Sequence, residues 1–138
     1  MGAIGKLQES KFLLTALKGT LAPKAIARAG NEAYPNVVAD LSRERKDLLE
    51  MLSVTRIGSR IKGDARSEVT QGADELANSL NSLKMYGLAD TSQSTEAITR
   101  SIAHLDEAMK VIAARRVKTA IATLVVGGAG TVVADAAT

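Results

Sequence analysis

His104 is the chain's only histidine and the first residue to ask for chemistry. Asp106 and Glu107 follow it, with Arg100 one turn before. A metal centre needs several ligands converging on one point. His104, Asp106 and Glu107 cannot converge from one helical face, so a surface or interface histidine is expected. Asp74–Glu75 and Asp106–Glu107 are carboxylate pairs by sequence only. Neighbours on a helix point about 100° apart, so neither pair forms an acid–base couple by itself. Ser and Thr crowd into DTSQST at 90–95, but no base stands near to activate a hydroxyl. No GxSxG elbow is present. VVGGAG at 125–130 lacks both the Lys-Ser/Thr of a P-loop and the full dinucleotide fingerprint. With no cysteine, disulfides, thiolate zinc sites and a cysteine nucleophile are excluded. No catalytic, metal or cofactor residue is assigned, and the expectation is a protein that is not an enzyme.

Two other kinds of residue pattern stand out. Arg43, Arg45, Lys46, Arg56, Arg60 and Lys62 could touch phosphates, as could Arg115, Arg116 and Lys118. Residues 1–63 carry 11 Lys/Arg against 6 Asp/Glu, and residues 64–138 carry 7 against 9. The first part is thus +5 and the second −2, for a net +3. Nucleic-acid modules usually add stacking aromatics or a reading motif. Here aromatics are 2% of the chain, so only unspecific phosphate contact is expected.

The last stretch is the more telling pattern. Between Lys118 and Asp135 lie sixteen uncharged residues rich in Ala, Val, Gly and Thr, preceded by the basic collar Arg115–Arg116–Lys118. On a helix, Ala122, Val126, Gly130 and Ala134 recur every fourth residue, as do Thr123, Gly127 and Thr131. Small residues at that spacing let backbones approach closely. Sixteen residues span about 24 Å as a helix, short of the roughly 30 Å hydrocarbon core. Packing against neighbouring copies, or insertion into a membrane as an oligomer, suits the segment better than a lone membrane anchor. A plain terminal helix of the same bundle is the simpler alternative.

These residues require helices to position them. Ile4, Leu7, Leu14, Leu17 and Leu21 give a first helix over residues 3–21. Pro23 to Ala29 reads as a short second one, stopped by Gly30–Asn31. Tyr34–Pro35–Asn36 reads as a connector, with Asn36 capping a helix that reaches Lys62. Val38, Leu41, Leu48, Leu52 and Ile61 make its stripe, and SRERKDLLE its polar flank, with ion pairs among Arg43, Glu44, Arg45, Lys46 and Asp47.

The next two helices carry the strongest periodicity. Val69, Ala73, Leu76, Leu80 and Leu83 are spaced 4, 3, 4, 3, after a start at Asp64 and before a stop at Gly87. Ile98, Ile102, Leu105, Met109 and Ile112 repeat that spacing, with Ser94, Thr95 and Glu96 available as caps. A short polar loop between them predicts an antiparallel hairpin. The last helix runs on toward Gly127–Gly128, where a strand or hairpin over ATLVVGG and TVVA is the rival.

The whole reads as one all-α domain, an elongated bundle of about four helices with a central antiparallel hairpin and a long C-terminal helix. Residues 1–34 would be a helical arm, 35–116 the core and 117–138 the small-residue segment. Its expected role is structural: a virion- or filament-type subunit. It would self-associate through both seams and through Ala122, Val126, Gly127, Gly130 and Ala134, with membrane activity of 117–138 after release as a variant. The alternatives are a basic nucleic-acid-binding accessory and a peripheral membrane protein using 117–138. Met1–Gly5 has no basic, apolar leader pattern, and Lys6 departs from a myristoylation motif. Cytoplasmic synthesis followed by incorporation into an assembly is therefore expected.

Overall fold

The structure, a computed structural model, describes residues 2–53 and 61–126, with side chains as far as Arg116. Every regular element among them is helical: α1 (Ala3–Thr20), α2 (Pro23–Ala29), a 3-10 turn (Gly30–Glu32), α3 (Ala33–Ser53), α4 (Gly63–Tyr86) and α5 (Ser92–Val126). α1, α3, α4 and α5 form a four-helix bundle in which each packs on its neighbours in the order α1–α3–α4–α5–α1. Cross-links fix the directions. Glu68 and Glu75 on α4 meet His104 and Arg100 on α5. Lys11 on α1 meets Asp106 on α5, while Thr91 at the start of α5 bonds Leu21 at the end of α1. Both pairs are antiparallel, and for α4 and α5 the short loop between them requires it.

One core runs through the bundle. Leu7, Leu14, Leu17 and Leu21 come from α1 and the turn after it; Val37, Leu41, Leu48 and Met51 from α3; Val69, Leu76 and Leu83 from α4; Ile98 and Leu105 from α5. Residues 3–21 therefore form one wall of the bundle. Ile61 is buried too, but from the connection before α4 rather than from α3.

Helix ends differ from the sequence reading in instructive ways. α2 matches it, ending where Gly30 takes φ +63°. α3 begins at Ala33, so Pro35 lies in its first turn. Proline fits there because that turn's N–H groups have no intrahelical acceptor. α3 ends at Ser53 within the described residues, while Val54, Ile57, Arg56 and Arg60 lie outside them. Lys62 rather than Asp64 occupies the N-cap position of α4, without a side-chain cap bond, and Asp64 sits in its first turn, where a carboxylate favours the positive helix end. At the start of α5 the capping carboxylate is Asp90. Its Oδ1 accepts from Ser92 N at 3.1 Å and from Ser92 Oγ at 2.7 Å, which holds its carboxyl below the ordinary value. Ser94 is thereby free to enter the core.

The α4–α5 hairpin is the most extensive helix–helix packing among the described residues. Gly72, Ala73, Ser79, Ala97, Ser101 and Ala108 are all buried along it. Ser101 Oγ donates to the Gly72 carbonyl at 2.8 Å, and Ser79 bonds both the carbonyl and the hydroxyl of Ser94. Small side chains let the helices approach, and each buried hydroxyl meets the partner that burial demands.

Candidate functional site

The ten seam residues lie between α4 and α5 of one chain. Val69, Ala73, Leu76, Leu83, Ile98 and Leu105 are fully buried, and Leu80, Ile102, Met109 and Ile112 are half-buried against the same core. Most of their apolar surface packs within the chain's own hairpin. Ala122 and Val126 fall on the described backbone of α5, so the helical reading holds to Val126; Gly127, Gly130 and Ala134 lie outside the described residues.

The chemistry-bearing residues of α4 and α5 pair off across the hairpin. His104 Nδ1 lies 2.7 Å from Glu68 Oε2, both partly buried. Arg100 Nε bonds Glu75, and Asp106 reaches across to Lys11 Nζ at 2.8 Å. Neither adjacent carboxylate pair faces a common point. An ion pair as exposed as Lys11–Asp106 contributes roughly 0.2–1 kcal/mol. Among the described residues no three His, Cys, Asp or Glu side chains are grouped to hold a metal ion.

The basic residues do not form one stripe. Arg43 pairs with Asp40 at 3.5 Å, Lys46 is exposed, and Arg45 is half-buried with its Nε unpartnered. Positions 43 and 45 are about 200° apart on a helix, so α3 cannot present both on one face. Lys62, Arg115 and Arg116 gather at the other described basic locus, the end of the bundle where α1 and α4 begin. Arg115 Nη1 donates to the Lys62 carbonyl at 2.8 Å, and Arg116 reaches back beside Gly2. All three side chains are exposed. The Lys118 side chain lies outside the described side chains.

A site that the hydropathy pattern concealed lies on the opposite flank. Glu44 occupies a core position of α3, spaced three and four from Leu41 and Leu48, and is only 6% exposed. It is not part of a polar flank, and Arg43 pairs with Asp40 instead of with it. It lines a cavity of about 330 Å³ between α1 and α3, together with Lys6, Glu9, Ser10, Leu13, Asp47, Glu50 and Met51. Glu44 Oε1 is buried without a hydrogen-bond partner. Burial, reinforced by the neighbouring Asp47, pushes its carboxyl up from 4.5 to about 7. The only signal for this position in the sequence is a charged residue exactly in phase with the leucines. A second cavity, about 490 Å³, opens beside the α4–α5 loop among Asn78, Asn81, Tyr86, Gln93 and Arg100, and holds no buried unpartnered group.

No described helix is long and apolar enough to cross a membrane. At the bundle end, α5 continues past Arg116 to Val126, and 126 − 116 gives ten more helical residues. At 1.5 Å each they extend about 15 Å beyond the last described contacts with the starts of α1 and α4. Compared with family models, with curated proteins and with solved structures, the chain matches none.

Proposed function

We propose that this chain is a non-enzymatic assembly subunit, of virion or filament type. In this reading the bundle is a compact body, and the C-terminal segment joins it to further copies. The observation that carries it is the course of α5, which stays helical for ten residues beyond the level where α1 and α4 begin. Beyond Arg116 this stretch of α5 carries a small or slender residue at every fourth position from Ala122, the spacing that lets helices of neighbouring copies approach closely. The pairing-off of His104, Glu68, Glu75, Arg100 and Asp106 in structural contacts supports a role without catalysis.

Sedimentation velocity of the full-length chain beside a 1–116 truncation, without detergent, tests the reading. The full chain is expected to form large defined oligomers and the truncation a small species. Equal, small species for both would sink it. A second reading, contact with an anionic surface, draws on the exposed Arg115 and Arg116 at the root of the projecting helix. It predicts that the full chain floats with anionic liposomes and the truncation does not, whereas salt-sensitive retention of DNA by both would point to nucleic acid.

A further inference from the structure

We propose that the groove between α1 and α3 is a receptor site for an arginine side chain, filled by Arg116 of a second copy of this chain. The proposal deepens the assembly reading and rests on it. The groove brings four carboxyl groups, Glu9, Glu44, Asp47 and Glu50, around one ammonium, Lys6. Its volume, about 330 Å³, has room for a long side chain. Leu13 and Met51 give it an apolar wall suited to an aliphatic stem.

A cluster of acidic residues alone would mean little. Glu44 adds an independent fact. It is more than nine-tenths buried, it lines the groove, and its Oε1 meets no donor. Lys6 makes no ion pair with it among the described residues. A buried acceptor without a donor is costly unless something supplies one. Guanidinium does so best, with five N–H donors in a planar fork that matches a carboxylate.

The chain's own collar supplies that group. Arg115 is engaged with the Lys62 carbonyl, while Arg116 is exposed and forms no described ion pair. Groove and collar also belong to the same end of the bundle. Arg116 lies beside Gly2, and the groove begins one helical turn further on, at Lys6. Two copies related by a twofold axis can therefore each offer an arginine to the other's groove, an isologous contact that closes on itself.

Sedimentation velocity of the full-length chain over a concentration series, at low and at high ionic strength, tests this. Association is expected to weaken with salt, because the contact is between charges. Arg116→Glu and the isosteric Glu44→Gln are each expected to weaken it about tenfold or more. An Asp47→Lys chain should associate poorly alone and recover when mixed with the Arg116→Glu chain. Circular dichroism melts confirm that each variant is folded. Wild-type association in Glu44→Gln, or no recovery in the mixture, overturns the groove assignment. If those variants behave as wild type while loss of 117–138 abolishes oligomers, the assembly reading stands and only the groove fails. A chain that stays monomeric at every concentration overturns both.

Discussion

Replacing Gly72 by leucine is expected to lower the melting temperature by roughly 5–15 °C, the equivalent of about 1–3 kcal/mol. Gly72 lies mid-helix, where glycine is normally a liability of roughly 0.5–1 kcal/mol against alanine. Its retention has a steric reason. A Cβ at this position would stand 3.1 Å from Leu105 Cδ2, 3.5 Å from Ser101 Oγ and 3.6 Å from the Ser101 carbonyl. Leucine adds three further carbons to that space, against a backbone that cannot retreat without opening the hairpin. The Ser101–Gly72 hydrogen bond would be lost with it. Leu105→Ala alone should cost about 2–5 kcal/mol by leaving a cavity. Because the two sites share one volume, the Gly72→Leu/Leu105→Ala double variant should be more stable than additivity predicts, by roughly 1–3 kcal/mol. Thermal and denaturant melts of the four chains complete the cycle. Additive losses would show that the two positions do not compete for space.

Glu44 sets the second large effect, and its direction depends on pH. The folded-state pKa is raised from 4.5 to about 7, so the native state holds a proton that the unfolded chain has released. Stability from this group is fully present below about pH 4.5 and is lost as pH rises through about 7. The full shift would correspond to about 3 kcal/mol, so a loss of roughly 1–3 kcal/mol is expected. The wild type is therefore expected to lose that amount between pH 5 and pH 8 relative to Glu44→Gln, which has nothing to titrate here. Glu44→Leu should be more stable than the wild type at pH 8, since it removes a charge buried without a partner. Denaturant titrations at a series of pH values decide the matter. Parallel pH profiles for the wild type and Glu44→Gln would mean that Glu44 is solvated in the folded protein.

The all-helical class, the α4–α5 hairpin, the exact span of α2 and the Gly87 stop were legible because each rests on a local rule: leucines in phase, or a residue with unusual backbone freedom. Residues that look polar or neutral but occupy interior positions were not legible. Ser79, Ser94 and Ser101 are buried because another helix comes close enough to accept their hydroxyls, and nothing local encodes that approach. Glu44 escaped for the same reason. Its four charged neighbours in sequence suggest a solvated face, while its phase with Leu41 and Leu48 puts it inside. The seams were visible, but periodicity cannot say whether a stripe meets its own chain or another; only the neighbouring helix answers that.

The bundle's wiring also orders its assembly in time. α4 and α5 are joined by a short loop and share the most extensive packing, so their pairing closes little chain and can form early. The contact of α1 with α5 links positions such as Lys11 and Asp106, nearly the full length of the bundle apart in sequence. During synthesis α1 is made before the other three described walls of the bundle, but one of its two flanking walls, α5, is made after the rest. Its leucine stripe therefore stays uncovered on that side until α5 has left the ribosome. Of the four walls, α1 is the one most in need of shelter while the bundle is being made.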